Sequence, residues 1–152
     1  MIELREITSE NFDACINLKV NKEQDSFVAT NVYSLAQAWL YHQNTKPFAI
    51  YHDKKIVGFL MLDIDYNGGA AEGICDLWRF MIDKNHQKKG CGRAAMQVLI
   101  NYSKEKLNAR KMRAAFVQGN TAAEKLYSSL GFIPNGELDG DEIVMILDLH
   151  SQ

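Results

Sequence analysis

Residues 74–107 restrict the fold more than any other stretch. The apolar run ICDLWRFMID, the turn HQKKGCG and a helix-patterned segment follow one another almost without a break. From Ile74 to Asp83 the run has the length and character of a largely buried strand. From Arg93 to Leu107, Ala95, Val98, Leu99 and Tyr102 recur at spacings of three and four, the stripe of a helix facing a core. A strand feeding straight into such a helix has to pack it on a sheet face, so an α/β fold is expected.

The rest of the chain supplies strands on both sides of this unit. IELREI, with Ile2, Leu4 and Ile7, reads as a short first strand; Thr8 or Ser9 offers an N-cap to a helix from Glu10 that carries Phe12, Cys15, Ile16 and Leu18. Ser34 is placed to cap a second helix marked by Leu35, Ala38, Trp39 and Tyr41. PFAIYHDKKIVGFLMLDIDY is two apolar runs parted by Asp53, Lys54 and Lys55, the pattern of an antiparallel hairpin, and NGGAAEG then turns the chain into the Ile74 strand. Downstream, KMRAAFV reads as a strand and NTAAEKLYSSL as a short helix capped by Asn120 or Thr121 and stopped by Gly131. FIPNGEL and EIVMILDL make a last strand pair. The expectation is a mixed, mostly antiparallel central sheet with helices on both faces, in one domain over residues 1–152.

Several functions are excluded by what the chain lacks. Its formal net charge of −2 gives no surplus of Lys and Arg for nucleic-acid phosphates. No apolar run approaches the ~20 residues of a membrane helix, and MIELREITSE lacks the regions of a secretory signal, so a cytoplasmic protein without a membrane partner is expected. Cys15, Cys75 and Cys91 are odd in number and far apart, and His42, His52, His86 and His150 show no HxxH or HExxH spacing. Neither a disulfide framework nor a metal site is expected.

The turn HQKKGCG has a physical reason to attract an anion. The first N–H groups of a helix have no internal partners, the helix dipole places partial positive charge there, and Gly90 and Gly92 let a ligand approach the backbone. Gln87, Lys88, Lys89 and Arg93 add donors and charge. Read alone, the glycine pair fits a plain turn equally well. The GxxxxGK[ST] phosphate loop and the GxGxxG dinucleotide fingerprint are both incomplete.

In its wider setting, FMIDKNHQKKGCGRAAM resembles the acetyl-CoA-binding segment of the GCN5-related N-acetyltransferase (GNAT) family, whose turn reads Q/R-x-x-G-x-G/A; Gln87, Gly90 and Gly92 match it. NTAAEKLYSSLGF is similar to the family's N-x-x-A-x-x-L-Y-x-x-x-G-F element, through Asn120, Ala123, Leu126, Tyr127, Gly131 and Phe132. Two motifs in order, about thirty residues apart, are far more specific than either one. The resemblance implies the GNAT fold, with acetyl-CoA as co-substrate. It implies that backbone groups of Phe80, Met81 and Ile82 pair with the pantetheine arm, and that main-chain amides of Lys88, Lys89, Gly90, Cys91, Gly92 and Arg93 hold the pyrophosphate. Asn120 would meet the cofactor near its thiol end or pantetheine, and Tyr127 would sit beside the sulfur.

Amide formation from a thioester needs a neutral amine, a stabilised oxyanion in the tetrahedral intermediate and a proton for the leaving thiolate. Tyr127 is the expected acid, although on residue type alone it is equally a core residue beside Ala123 and Leu130. Asp76 and Glu72 are the candidate bases; strand alternation puts Asp76 on the side of Trp78. Some polyamine acetyltransferases carry a carboxylate where this chain has Trp78, which counts against a direct carboxylate base. Arg79, of opposite parity, is expected to pair structurally with a carboxylate on the other face. Cys91 falls at a free position of the motif and is expected to be a bystander.

QDSFVATNVYSLAQAW, LWRFMID and NGELDGDEIVMILDL together resemble the bacterial spermidine and spermine N-acetyltransferase branch. Glu23, Asp25, Glu72, Asp76, Glu137, Asp139, Asp141 and Glu142 are the acids available to attract a polycation, although GELDGDE also reads as a polar hairpin turn. Phe27, Tyr33 and Trp39 are candidate walls for an amine, with core packing the expected place of Trp39. Three readings are open: a polyamine acetyltransferase, the same chemistry on a protein amino terminus or an aminoglycoside, and a noncatalytic acyl-CoA-binding regulatory domain. Homodimers are common in the resembling family, and exposed strand edges near the carboxyl terminus would permit one.

Overall fold

The computed structural model describes residues 1–150. Seven strands form one sheet: β1 (Ile2–Glu6), β2 (Thr45–His52), β3 (Lys55–Asp63), β4 (Ile74–Ile82), β5 (Lys111–Val117), β6 (Ile133–Asp139) and β7 (Glu142–Asp148). Their order across the sheet is β1-β2-β3-β4-β5-β7-β6, and every neighbouring pair is antiparallel except β4 and β5. The four helices are α1 (Phe12–Ile16), α2 (Asn31–Leu40), α3 (Cys91–Glu105) and α4 (Thr121–Ser129).

The helices lie on both faces, as expected. Leu60, Leu62, Leu77 and Ile82 pack with Ala95, Met96 and Leu99 of α3 and Tyr127 of α4 into the larger core. Phe59, Met61 and Met81 pack on the other face with Cys15 of α1 and Ala38 of α2. Of the predicted α3 stripe, Ala95, Leu99 and Tyr102 face the core while Val98 does not; Met96 and Ile100 join it instead, and the helix begins two residues earlier than its apolar spacing indicates, at Cys91, which is also in the core.

The first third differs more from its sequence reading. Helix α2 starts a turn before Ser34: Thr30 is the cap, its hydroxyl accepting from the Tyr33 N–H at 3.2 Å, and Ser34 is buried, donating to Thr30 O. Helix α1 is a short piece that buries Cys15 and leaves Phe12 exposed. Trp39 does not enter the core; it is 76% exposed, with its ring 5.9 Å from that of His42. The NGGAAEG turn is wound as 3-10 turns over Tyr66–Glu72.

One irregularity shapes the sheet. Met61 pairs with Arg79, and its neighbour Leu62 with Leu77, so Trp78 is an extra residue in β4. Such a bulge interrupts alternation and increases local twist. Cys75 and Leu77 before it and Phe80 and Ile82 after it therefore contribute to the same core, although their numbers have opposite parity. Beyond the bulge β4 leaves β5: the parallel ladder runs from Ile74 with Lys111 to Leu77 with Ala114 and stops, whereas β5 stays paired with β7 through Val117.

Candidate active site

The splay of β4 from β5 opens a cleft of about 840 Å³. Its walls are the second half of β4, the end of β5, the face of α4 with Asn120 and Tyr127, and the segment between α1 and α2. From Trp78 to Ile82, the edge of β4 turned toward β5 has no strand partner. That edge can take an extended chain in place of a strand.

At the end of β4 the backbone turns through Asp83 and the 3-10 turn Lys84–His86 into α3. Asp83 is buried, accepting the Lys19 N–H at 2.9 Å and the Asn85 N–H at 3.2 Å. Lys88 (φ 61°) and Gly90 (φ 84°) both take left-handed backbone, the condition that gathers successive amides into a concavity. The first helical bond of α3 is donated by Ala94 to Gly90 O, and among the described residues the N–H groups from Lys88 to Arg93 donate to no protein acceptor. Gly92 lines the cleft, and a Cβ there would meet Phe80, Ile82 and Leu126 at 3.6–3.7 Å, filling the space beside those amides without straining the fold. Free amides, a fifteen-residue helix behind them and room at Gly92 fit a pyrophosphate.

Side chains around the turn depart from expectation. Gln87 is not a free donor: its Nε2 donates to Ile82 O and Gln24 Oε1, both at 2.9 Å, and its Oε1 accepts from Asn21. It ties the turn to β4 and to the segment before α2. Lys89 donates to Asn85 O and Arg93 to Ser129 Oγ, and neither side chain lines the cleft; Lys88 does. Asn120 caps α4, its Oδ1 accepting from the Ala123 N–H at 3.2 Å, while lining the cleft. Cys91 is buried in the core, and no disulfide joins Cys15, Cys75 and Cys91. Burial pushes the Cys15 and Cys75 thiols up to about 11.

Tyr127 is both a core residue and a cleft residue, so the two readings of it are not exclusive. It is 5% exposed, its ring 5.3 Å from Phe132, and it lines the cleft. Burial, then the nearby charges of Asp76 and Glu142, push its phenol well above the usual tyrosine range. A phenol so placed keeps its proton at neutral pH.

Asp76 reaches the cleft, 4% exposed, and is bonded to Arg113 of β5 at 2.9 Å. Burial pushes its carboxyl up to about 6, outweighing the downward pull of that guanidinium. Glu72 is not brought there. It precedes the start of β4 and lines a separate depression with Ile74, Arg110 and His150, whereas the cleft takes β4 only from Asp76 onward. Arg79 does not find a carboxylate on the opposite face: the bulge turns it toward α2, where it donates to Gln37 Oε1 at 2.6 Å and lies 5.0 Å over the Trp78 ring.

Of the acids considered, Asp25, Asp76, Asp139 and Glu142 line the cleft, and Phe27 and Trp78 are among its aromatic walls. Tyr33 and Trp39 are exposed outside it. Glu142 is held above the usual carboxylate range by partial burial and then by Asp139. Sequence reasoning missed Arg113 altogether; the only signal was a guanidinium within the otherwise apolar MRAAFV. No group of three or more potential metal-ligating side chains occurs among the described residues.

A strand edge left open beside a cradle of free amides suits a transferase that draws a long, phosphate-bearing acyl donor along one strand. Residues 3–132 match the model of the acetyltransferase (GNAT) family, and the chain belongs to that family. A spermine/spermidine N(1)-acetyltransferase of Bacillus subtilis (strain 168) is 31% identical over 151 residues, covering 97% of this chain and 99% of that one. Among solved structures, the spermidine N-acetyltransferase of Vibrio cholerae in complex with CoA and spermine superposes with a TM-score of 0.77 at 20% identity, covering 98% of this chain and 96% of that one. An aminoglycoside acetyltransferase in complex with coenzyme A gives 0.79 at 13% identity, covering 97% and 95%. The fold is thus shared between acceptors as different as a polyamine and an aminoglycoside.

Proposed function

We propose that the protein is a single-domain N-acetyltransferase that moves the acetyl group of acetyl-CoA to a primary amine of a spermidine- or spermine-type polyamine. The observation that carries this reading is the composition of one cleft. Free amides of the Lys88–Arg93 turn lie at one end of the open β4 edge, and the cleft is lined by four carboxylates, Asp25, Asp76, Asp139 and Glu142, against three cations, Lys88 at the turn, Arg79 and Arg113. The near full-length similarity to a spermine/spermidine acetyltransferase supports the choice of amine.

Each residue has a role that its surroundings favour. The turn amides hold the pyrophosphate, and the open edge from Phe80 to Ile82 pairs with the pantetheine arm. A polyamine ammonium is drawn by Asp139 and Glu142, since amines of this kind are protonated at neutral pH. Asp76, titrating near the working pH, is the candidate proton acceptor before the amine attacks the thioester carbonyl. Tyr127, kept protonated by burial, gives its proton to the thiolate that leaves. An amide of the open β4 edge is the candidate donor to the oxyanion. The fully exposed β6, unpaired along its outer edge, supports a homodimer.

A panel of polyamines, peptides and aminoglycosides, assayed with acetyl-CoA by release of free thiol, tests this reading. Turnover of spermidine or spermine is expected. Turnover of peptides or aminoglycosides alone would overturn the polyamine assignment, and tight CoA binding without turnover of any amine would overturn the enzyme.

A further inference from the structure

Arg113 is a buried charge of the cleft whose presence neither the cofactor nor the acid explains. It stands mid-strand in β5 with only 9% of its side chain exposed, a costly place for a guanidinium unless it is fully engaged. Three elements engage it. Asp76 is its direct partner in the parallel ladder and accepts from Nη1 at 2.9 Å; Asp139, the last residue of β6, accepts from Nη2 at 3.2 Å; and the Tyr66 ring covers it at 4.2 Å.

The place of this cluster is specific. The Asp76–Arg113 pair is one rung before the ladder ends, so the guanidinium sits at the fork where β4 and β5 part. It takes one oxygen from each acid: Oδ1 of Asp76 and Oδ2 of Asp139. The second oxygen of each has no protein donor among the described residues, and both residues line the cleft. Asp139 also pairs with Glu142 across the Gly140–Asp141 turn, so the bond from Arg113 fixes where that hairpin end, with its two acids, stands over the cleft.

We infer that Arg113 is a positioning residue for the amine: by gripping one oxygen of Asp76 and one of Asp139 at the fork of the sheet, it presents their other oxygens to the acceptor ammonium groups. This inference rests on the polyamine reading given above. Asp76 is faced by Arg113 from β5, Asp63 from β3, Asp139 from β6 and Tyr127 from α4, with Arg79 on its own strand. Of these, Arg113 is the cation in direct contact, so removing it drives the Asp76 carboxyl further up from about 6.

The test is steady-state kinetics with spermidine and acetyl-CoA varied separately, from about pH 5.5 to about pH 9, on wild type, Arg113→Lys, Arg113→Met and Asp139→Asn. For Arg113→Met the spermidine KM should rise about tenfold while the acetyl-CoA KM stays within about twofold. The acid limb of kcat/KM for spermidine should move up by about one pH unit. Arg113→Lys should return that limb toward the wild-type position without restoring the amine KM, because one ammonium cannot hold both acids in a fork. Asp139→Asn should raise the amine KM and move the limb slightly down, because it removes a negative charge that helps hold the Asp76 carboxyl up. Equal increases in both KM values with an unmoved acid limb would reduce Arg113 to a structural ion pair and overturn the inference. If Arg113→Met does not fold, a wild-type spermidine KM in Asp139→Asn overturns it instead. Wild type that turns over no polyamine refutes the proposed function itself, a separate outcome.

Discussion

Replacing Tyr127 by phenylalanine deletes one oxygen and leaves the ring, so it separates the proposed acid from the packing residue. The ring is almost wholly buried against Phe132 and the core below α4, and those contacts persist in the variant. Stability should therefore change by less than about 1 kcal/mol. The chemical step should change much more. A positioned general acid contributes about 10²–10⁴-fold, and a thiolate, with a parent pKa near ~8.5, is a fair leaving group, which favours the lower end. A loss of about 100-fold in kcat, or about 2.7 kcal/mol, is expected. Thiol release at saturating spermidine measures it, and the acetyl-CoA KM should stay within about twofold, since the turn amides that hold the pyrophosphate are untouched. Because burial keeps the wild-type phenol protonated, kcat should show no alkaline decline from this group up to about pH 9. A Tyr127→Phe enzyme that keeps kcat within about threefold of wild type refutes the acid role.

Two further substitutions probe the turn and the core. Gln87→Ala removes the bonds to Ile82 O and Gln24, and should raise the acetyl-CoA KM about tenfold with little change in the spermidine KM, read from the same assay. Leu99→Ala empties a fully buried position under α3 and should cost about 2–5 kcal/mol, seen as a lower urea midpoint with unchanged slope.

The two ends of the cleft differ in how far they could be read from sequence. The turn was legible because its chemistry is local: strand, Gly90, Gly92 and helix follow one another, and the amides that stay free are those any helix start leaves free. Strand β5 was placed to the residue for a similar reason, as KMRAAFV carries its own pattern. Helix α2 was misread at its start because Thr30 and Ser34 are both capping residues one turn apart, and the choice between them depends on burial of Asn31 and Ser34 against the rest of the fold.

Sequence alone determined the α/β class, most of the core-facing side of α3, the anion-ready turn and the presence of Tyr127 within a matching motif, since each depends on residues within about one turn or strand of one another. Only the tertiary structure decided which charges meet. The bulge at Trp78 redirects Arg79 toward Gln37 and parts β4 from β5. The ladder aligns Asp76 with Arg113 across 37 residues of chain, and the last hairpin brings Asp139 to the same guanidinium. Glu72, four residues from Asp76 in sequence, precedes the strand and lines a separate depression. Charges have no periodicity to reveal their partners; register and strand curvature pair them, and those are properties of the assembled sheet.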